Sequence, residues 1–451
     1  MKPGKLLAML LCIVLTAGLV ACSGGGGTVN TGSTVQSEAG GQKDGEKGER
    51  KEKITLTFWG GIPETAGPQA IVEAWNAEHP DVQVEYVRYV NDDAGNLKLD
   101  TTLVTGEGAD VYITHSFTRY VKRTQMGGMA DLAEFGDYDF EGKLGDVVEA
   151  YKIDGKYYGV PTTNIPYLLL INKDMLDEAG LPVPELGWTW EEFREYAKKL
   201  TKDGVYGYGV NTLGNTNMNP VDSALHSVGP YKPDGSSNFD HPVMREVFEH
   251  MYEMMYVDKS TPEYGHQVAT KMPIDQMFYQ GKVAMFNAGS YEMRNGNNLK
   301  DYPRDFKIAF APLPRIDDIP LENFKWPSGL NDIISINPHS KYKEEAWEFV
   351  KWYIDGGLMP VIRGGRIPLS NAIRVDDMLA KLTEGVEHTY DLDSIRKYVL
   401  KSFPTYLNQL SQQEIDIRRE EYEKYFTNGQ TLDEMIANMT RRANEFLKQN
   451  K

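Results

Sequence analysis

The chain has 451 residues, 41% of them hydrophobic and 25% charged, with 65 acidic against 48 basic side chains and a formal charge of −17. That balance is the balance of a soluble globular protein. Its acidity argues against a nucleic-acid partner, which needs basic patches.

The first residues, MKPGKLLAMLLCIVLTAGLVACSGGGG, place Lys2 and Lys5 before an apolar run from Leu6 to Leu15. The run is long enough for a signal peptide and short for a stable membrane span. Leu19-Val20-Ala21-Cys22 resembles the bacterial lipobox, whose cysteine thiol receives a diacylglycerol before the chain is cut just ahead of it. That resemblance implies a lipoprotein signal peptide over residues 1–21 and lipidation at Cys22, a membrane anchor. The alternative is an ordinary secretory signal with Cys22 a bystander. Residues 22–53 are Gly, Ser and Thr rich, then almost wholly charged. They bury too little apolar surface to offset their ordering entropy, so a disordered tether is expected. The two cysteines are Cys12 and Cys22; one leaves with the signal and the other takes the lipid, so no disulfide is expected. About 430 residues remain after the cut, too many for one simple core.

The body opens on an alternating strand, Ile54 to Trp59, broken by Gly60-Gly61-Ile62-Pro63. A helix over Gln69 to Glu78 shows Ile71, Val72, Ala74 and Trp75 on one face. A strand over Val82 to Val87, a helix over Gly95 to Val104 and a short strand over 108–113 follow. This alternation predicts a parallel sheet covered by helices. Tyr167 to Ile171 reads as a buried strand. Thr189 and Glu192 form a capping-box pattern for a helix running to about Thr201. Strands are predicted over Val205 to Val210, Val283 to Phe286, Phe306 to Phe310 and Ile333 to Ile336. Helices are predicted over 243–256 and Tyr342 to Ile354, and through most of the chain beyond Val375.

Several segments in this order carry a family resemblance: ITLTFWGG, EAWNAEHPDVQVEYV, GEGADVYIT, GKYYGVPTT, LLLINKDMLDEAGLPVP with TWEEFREYAKKLT, MFYQGKVAMFNAGSY, FAPLP and HSKYKEEAWEFVKWYI. The series resembles the family 1 extracellular solute-binding proteins, the group that includes maltose and other sugar receptors, over roughly residues 54–450. The resemblance implies a solute-binding domain over 54–451 with an α/β, two-lobed, periplasmic-binding-protein-like fold of type II and a helical C-terminal region. It implies one lobe of about 54–164 and 311–338, and another of about 165–310 and 339–451. Hinge crossings would lie near Asn164, Ala311 and His339. The ligand, a carbohydrate, would bind in the cleft, and the closed form would be recognised by the permease subunits of an ABC importer at the outer face of the cell membrane. The expected protein is a monomer that needs no cofactor and no metal.

Sugar recognition uses flat aromatic faces for C–H surfaces and polar groups for hydroxyls. Candidates therefore belong in loops at strand ends. Trp59, Gly60 and Gly61 follow the first strand and either approach a ligand or fill the core and make a turn. His115 and Ser116 follow the third strand. Asn164 and Tyr167 lie at the first crossing, where Asn164 binds ligand or holds the hinge. Ser290 and Tyr291 match the family's glycine–aromatic loop, and the resemblance implies that Tyr291 stacks on sugar. Ser328 and Gly329 lie in a returning loop. Arg363 and Arg366 flank Gly364-Gly365 and bind hydroxyls or a carboxylate, or form structural salt bridges. The late tryptophan of maltose receptors has no counterpart in LSQQEIDIRREEYEKYF; Tyr406 or Tyr422 would substitute.

Two other classes remain open. Paired carboxylates are the signature of a glycan-active enzyme, but no G-x-S-x-G elbow or P-loop is present, and the eight histidines show no HExxH pattern. A lipoprotein that presents ligand to a membrane sensor would share the same fold and cleft.

Overall fold

The computed structural model describes residues 53–106, 108–210, 218–406 and 408–450. The expected signal peptide, Cys22 and all of the expected tether except Lys53 lie outside the described residues. Nine strands organise the described chain: β1 (Ile54–Gly60), β2 (Val82–Arg88), β3 (Val111–Thr114), β4 (Val160–Asn172), β5 (Tyr206–Gly209), β6 (Val283–Gly289), β7 (Ile308–Pro312), β8 (Ser328–Ile336) and β9 (Ile367–Pro368).

They make two sheets joined by one strand. The first has the order β2-β1-β3-β8-β4, and the second surrounds the far end of β4 with β6, β5 and β7. β4 pairs with β8 through Pro166 and with β6 from Tyr167 onward. β1–β2, β1–β3 and β5–β6 are parallel, whereas β3–β8 and every pairing of β4 are antiparallel. The sheets are thus mixed rather than parallel. The expectation fails because β8 returns from a distant segment that local alternation does not register.

Period two decides what each strand buries. β1 sends Leu56 and Phe58 to one face of the first sheet and Trp59 to the other. β3 does the same with Val111 and Ile113 against Tyr112. On the first face lie the helices Pro68–Glu78 and Lys343–Trp352, through Ile71, Trp75, Trp347 and Phe349. In the second sheet, Leu169 and Ile171 of β4 face one core, and Leu168 and Leu170 face the other. The helix Trp190–Leu200 caps the first of these cores, started by the capping box that Thr189 and Glu192 form. The helices Pro242–Tyr256, Gln412–Phe426 and Leu432–Gln449 complete it.

Packing moves the lobe boundaries. The first crossing falls at Pro166–Tyr167, two residues beyond Asn164. The return comes at Ser328 rather than near Ala311, because Leu313, Ile316, Ile319, Phe324 and Trp326 are buried in the second lobe. The helix Lys343–Trp352, expected in the second lobe, packs in the first. The third crossing instead runs through Ile362 and Ile367, whose side chains enter the second lobe while β9 pairs with Thr163 and Asn164.

Candidate functional site

The crossings meet around one buried carboxylate. Asp332 sits on β8 with only 1% of its side chain exposed and a left-handed φ of 53°. Its Oδ1 lies 2.7 Å from Nδ1 of His115, and its Oδ2 accepts from Thr163 Oγ1 at 2.9 Å. Gly61 N–H donates to His115 Nε2 at 3.1 Å, so the ring proton sits on Nδ1 and faces Asp332. Arg366 comes from the third crossing, with Nε 3.1 Å from Asp332 Oδ2. That N–H is turned off the line of the oxygen and makes no hydrogen bond, so the contact is an ion pair. Burial alone would push Asp332 up; Arg366, His115 and Thr163 together hold it well below the usual carboxylate range.

This network absorbs several residues expected to touch ligand. His115 has both ring nitrogens engaged. Ser116 caps the helix Phe117–Gln125 by accepting from Arg119 N–H. Gly61 is required because a Cβ there would lie 2.8 Å from His115 Nε2, and a Cβ on Gly60 would lie 2.6 Å from Tyr86 Oη. Trp59 is a core residue, packed with Leu99, Leu103 and Tyr112, since strand alternation turns it away from the loop. Ser290 is buried and donates to the carbonyl of Gly365. Ser328 donates to Asn164 Oδ1, tying β8 to β4 at the hinge, and Gly329 gives room to the Asn331 amide. Arg363 turns outward, with Nη1 donating to the Glu384 carbonyl at 2.7 Å.

Aromatic rings line the second-lobe side. Tyr167 is the one residue of β4 that is not fully buried. Its ring meets Tyr291 edge to face at 6.2 Å and 81°. A Cβ on Gly289 would lie 2.4 Å from the Tyr291 ring, so that glycine lets the tyrosine fold back against the strand. Of the two late tyrosines, Tyr422 is buried in the core, whereas Tyr406 stacks on His226 at 4.2 Å with its hydroxyl in the field of Tyr167. Behind it, Arg418 bonds Asp222, and His226 Nδ1 donates to the Asp222 carbonyl at 2.8 Å. Burial pulls His226 down, favouring the neutral ring.

Asp332, Asp222, His226 and Arg418 escaped sequence reasoning. The pair Asp222 and His226, four apart on the helix Asn219–Val228, was a usable signal. Next to Tyr291, Glu292 is buried and accepts from Tyr279 Oη and Asn295 Nδ2. Burial pushes its carboxyl up to about 7, partly opposed by those two hydrogen bonds.

The sequence profile of the bacterial extracellular solute-binding proteins matches residues 59–355. A binding protein of Brucella abortus (strain 2308) is 26% identical over 286 residues, covering 62% of this chain and 66% of that protein; the match thus spans just under two thirds of the relative. The maltotriose-binding protein of Pyrococcus abyssi is 23% identical over 339 residues, 71% of this chain and 69% of its own. A sugar transporter of Rhizobium etli, solved in an open conformation, superposes with a TM-score of 0.69 at 21% identity over 86% of this chain and 98% of its own. That last likeness is one of fold.

Replacing Asp332 by Asn, which tolerates the left-handed backbone, leaves Arg366 without its charge partner. We expect a loss of about 3 kcal/mol in urea unfolding at pH 7, shrinking as pH falls below about 4, where the unfolded chain's aspartate takes up a proton that the folded carboxylate still refuses. For Glu292 the sign reverses. The folded protein holds a proton that the unfolded chain releases, so stability falls as pH rises from about 4.5 to about 7. Glu292→Gln should flatten that slope and be more stable than wild type at pH 8 by on the order of 2 kcal/mol in thermal or urea unfolding.

Proposed function

Because the chain belongs to the bacterial extracellular solute-binding proteins, we propose that it is an extracytoplasmic receptor. It binds an oligosaccharide or sugar derivative in the cleft between its lobes, without changing it, and delivers it to an ABC importer. The observation that carries the reading is the half-buried aromatic wall of Tyr167 and Tyr291 at the point where β4 passes between the sheets. Such faces cover the C–H side of a sugar ring, and Arg366, held by Asp332, offers donors to hydroxyls. A Kd of about 1 μM needs about −8 kcal/mol, within reach of stacked rings and a few hydrogen bonds. The sugar names of relatives support the same class.

The crossings supply a hinge, and ligand bridging both walls favours closure. Cys22 carries the lipid, and residues 22–53 serve as a leash that keeps the receptor concentrated near its permease.

A calorimetric screen against a carbohydrate library should return an oligosaccharide with micromolar affinity, and Tyr291→Ala should weaken it about tenfold. Binding only to peptides or amino acids, or turnover of a glycoside, would contradict the reading. Unchanged affinity in the variant would remove Tyr291 from the site. For the anchor, Cys22→Ala should abolish incorporation of a labelled fatty acid and release the protein from the membrane fraction; label that persists refutes lipidation at Cys22.

A further inference from the structure

A groove of about 720 Å³ lies between the residues that follow β1 and the start of the third crossing, lined by Arg294 and by Gly364. The next residue, Gly365, reaches the Tyr291 backbone, where a Cβ on it would lie 2.9 Å from Tyr291 N. Its lining holds three cations, Arg294, Arg363 and Lys381, and no Asp or Glu. In a chain with 65 acidic and 48 basic residues, that lining reverses the average surface.

The cationic wall is built rather than incidental. Asn297 Nδ2 donates to the carbonyls of Arg363 and Leu382, each at 2.9 Å. Tyr390 Oη donates to Asn297 Oδ1 at 2.8 Å. One amide therefore ties together the turn carrying Arg294, the loop carrying Arg363 and the helix Val375–Leu382 carrying Lys381. Across the groove begins the helix Pro68–Glu78, whose first turn has no acidic side chain, so its dipole adds to the positive field.

Neighbouring acids only partly offset this. Glu384 takes Lys381 at 2.8 Å and lies 3.7 Å from Arg363. Glu387 lies in the field of Arg363, and Glu64 occupies the turn before the helix. Arg294 makes no ion pair among the described residues.

We propose that this groove binds an anionic oxygen group, a carboxylate or a phosphate, on the oligosaccharide held at Tyr291, so that the receptor selects acidic over neutral sugars. The inference rests on the carbohydrate reading and names its substrate class. A group held between the cationic wall and the first-lobe helix bridges both lobes, so it also favours the closed form.

The test compares matched pairs by calorimetry on the full mature chain at low and high salt: trigalacturonate against its methyl ester, and maltotriose 6-phosphate against maltotriose. In at least one pair the anionic member should bind about tenfold tighter at low salt, and the advantage should shrink at high salt because the cations are half-exposed. The double variant Arg294→Gln, Lys381→Gln, with its thermal midpoint checked, should bring the affinity ratio toward one. The pair that shows the advantage identifies the source of the charge. Equal affinities within both pairs, or a ratio unmoved by the double variant, overturn the inference and leave the carbohydrate reading standing. Failure of every one of these sugars and of the wider carbohydrate library to bind overturns that reading, and this inference with it.

Discussion

One strand belongs to both sheets. β4 gives its first seven residues to the ladder of the first lobe and the rest to the second, with the change at Pro166–Tyr167. Pro166 has no N–H to donate, so it suits the last place in one ladder. Everything else follows from that shared strand. The shared strand ties the two lobes together, and the residues at its midpoint stand where they meet. Tyr167, its one incompletely buried residue, marks that point.

Asp332 secures the arrangement. It draws on β4 through Thr163, on the third crossing through Arg366, and on the first-lobe loops through His115 and Gly61. Separate segments thus depend on a single carboxylate whose removal would strand a cation. The same economy explains the division of labour in the cleft. His115, Ser116 and Ser290 hold backbone in place, and their polar atoms are engaged by the protein. Tyr167, Tyr291 and Arg366 keep surface that a ligand can meet.

Local pattern made most of the fold legible. β1, the helix Pro68–Glu78 and β2 follow from alternation and from a 3.6-residue face, and the capping box at Thr189 and Glu192 is present as read. What local pattern missed has a common cause. The first half of β4 contains Pro161 and Pro166, which hide a strand from propensity. The pairing of β8 between β3 and β4, and the contacts His115–Asp332 and Arg418–Asp222, join residues 217 and 196 positions apart. Such contacts leave no period in the sequence. Tyr291 and Tyr167, the two rings proposed to meet the ligand, stood out in the sequence as a loop and a crossing, and the fold brings them together. At Trp59 the sequence left two readings, a binding loop and the core, and strand alternation places the ring in the core.

The central claim is that ligand and hinge are coupled: a sugar bridging the aromatic wall and the first lobe draws the lobes together about β4. Small-angle X-ray scattering of the mature chain, with and without the tightest oligosaccharide found, tests it directly. The account predicts a smaller radius of gyration on saturation, and roughly half that decrease when Tyr291→Ala is given sugar at about ten times the wild-type Kd, where a tenfold weaker variant is about half-occupied. A saturated wild-type protein whose scattering does not change would contradict it.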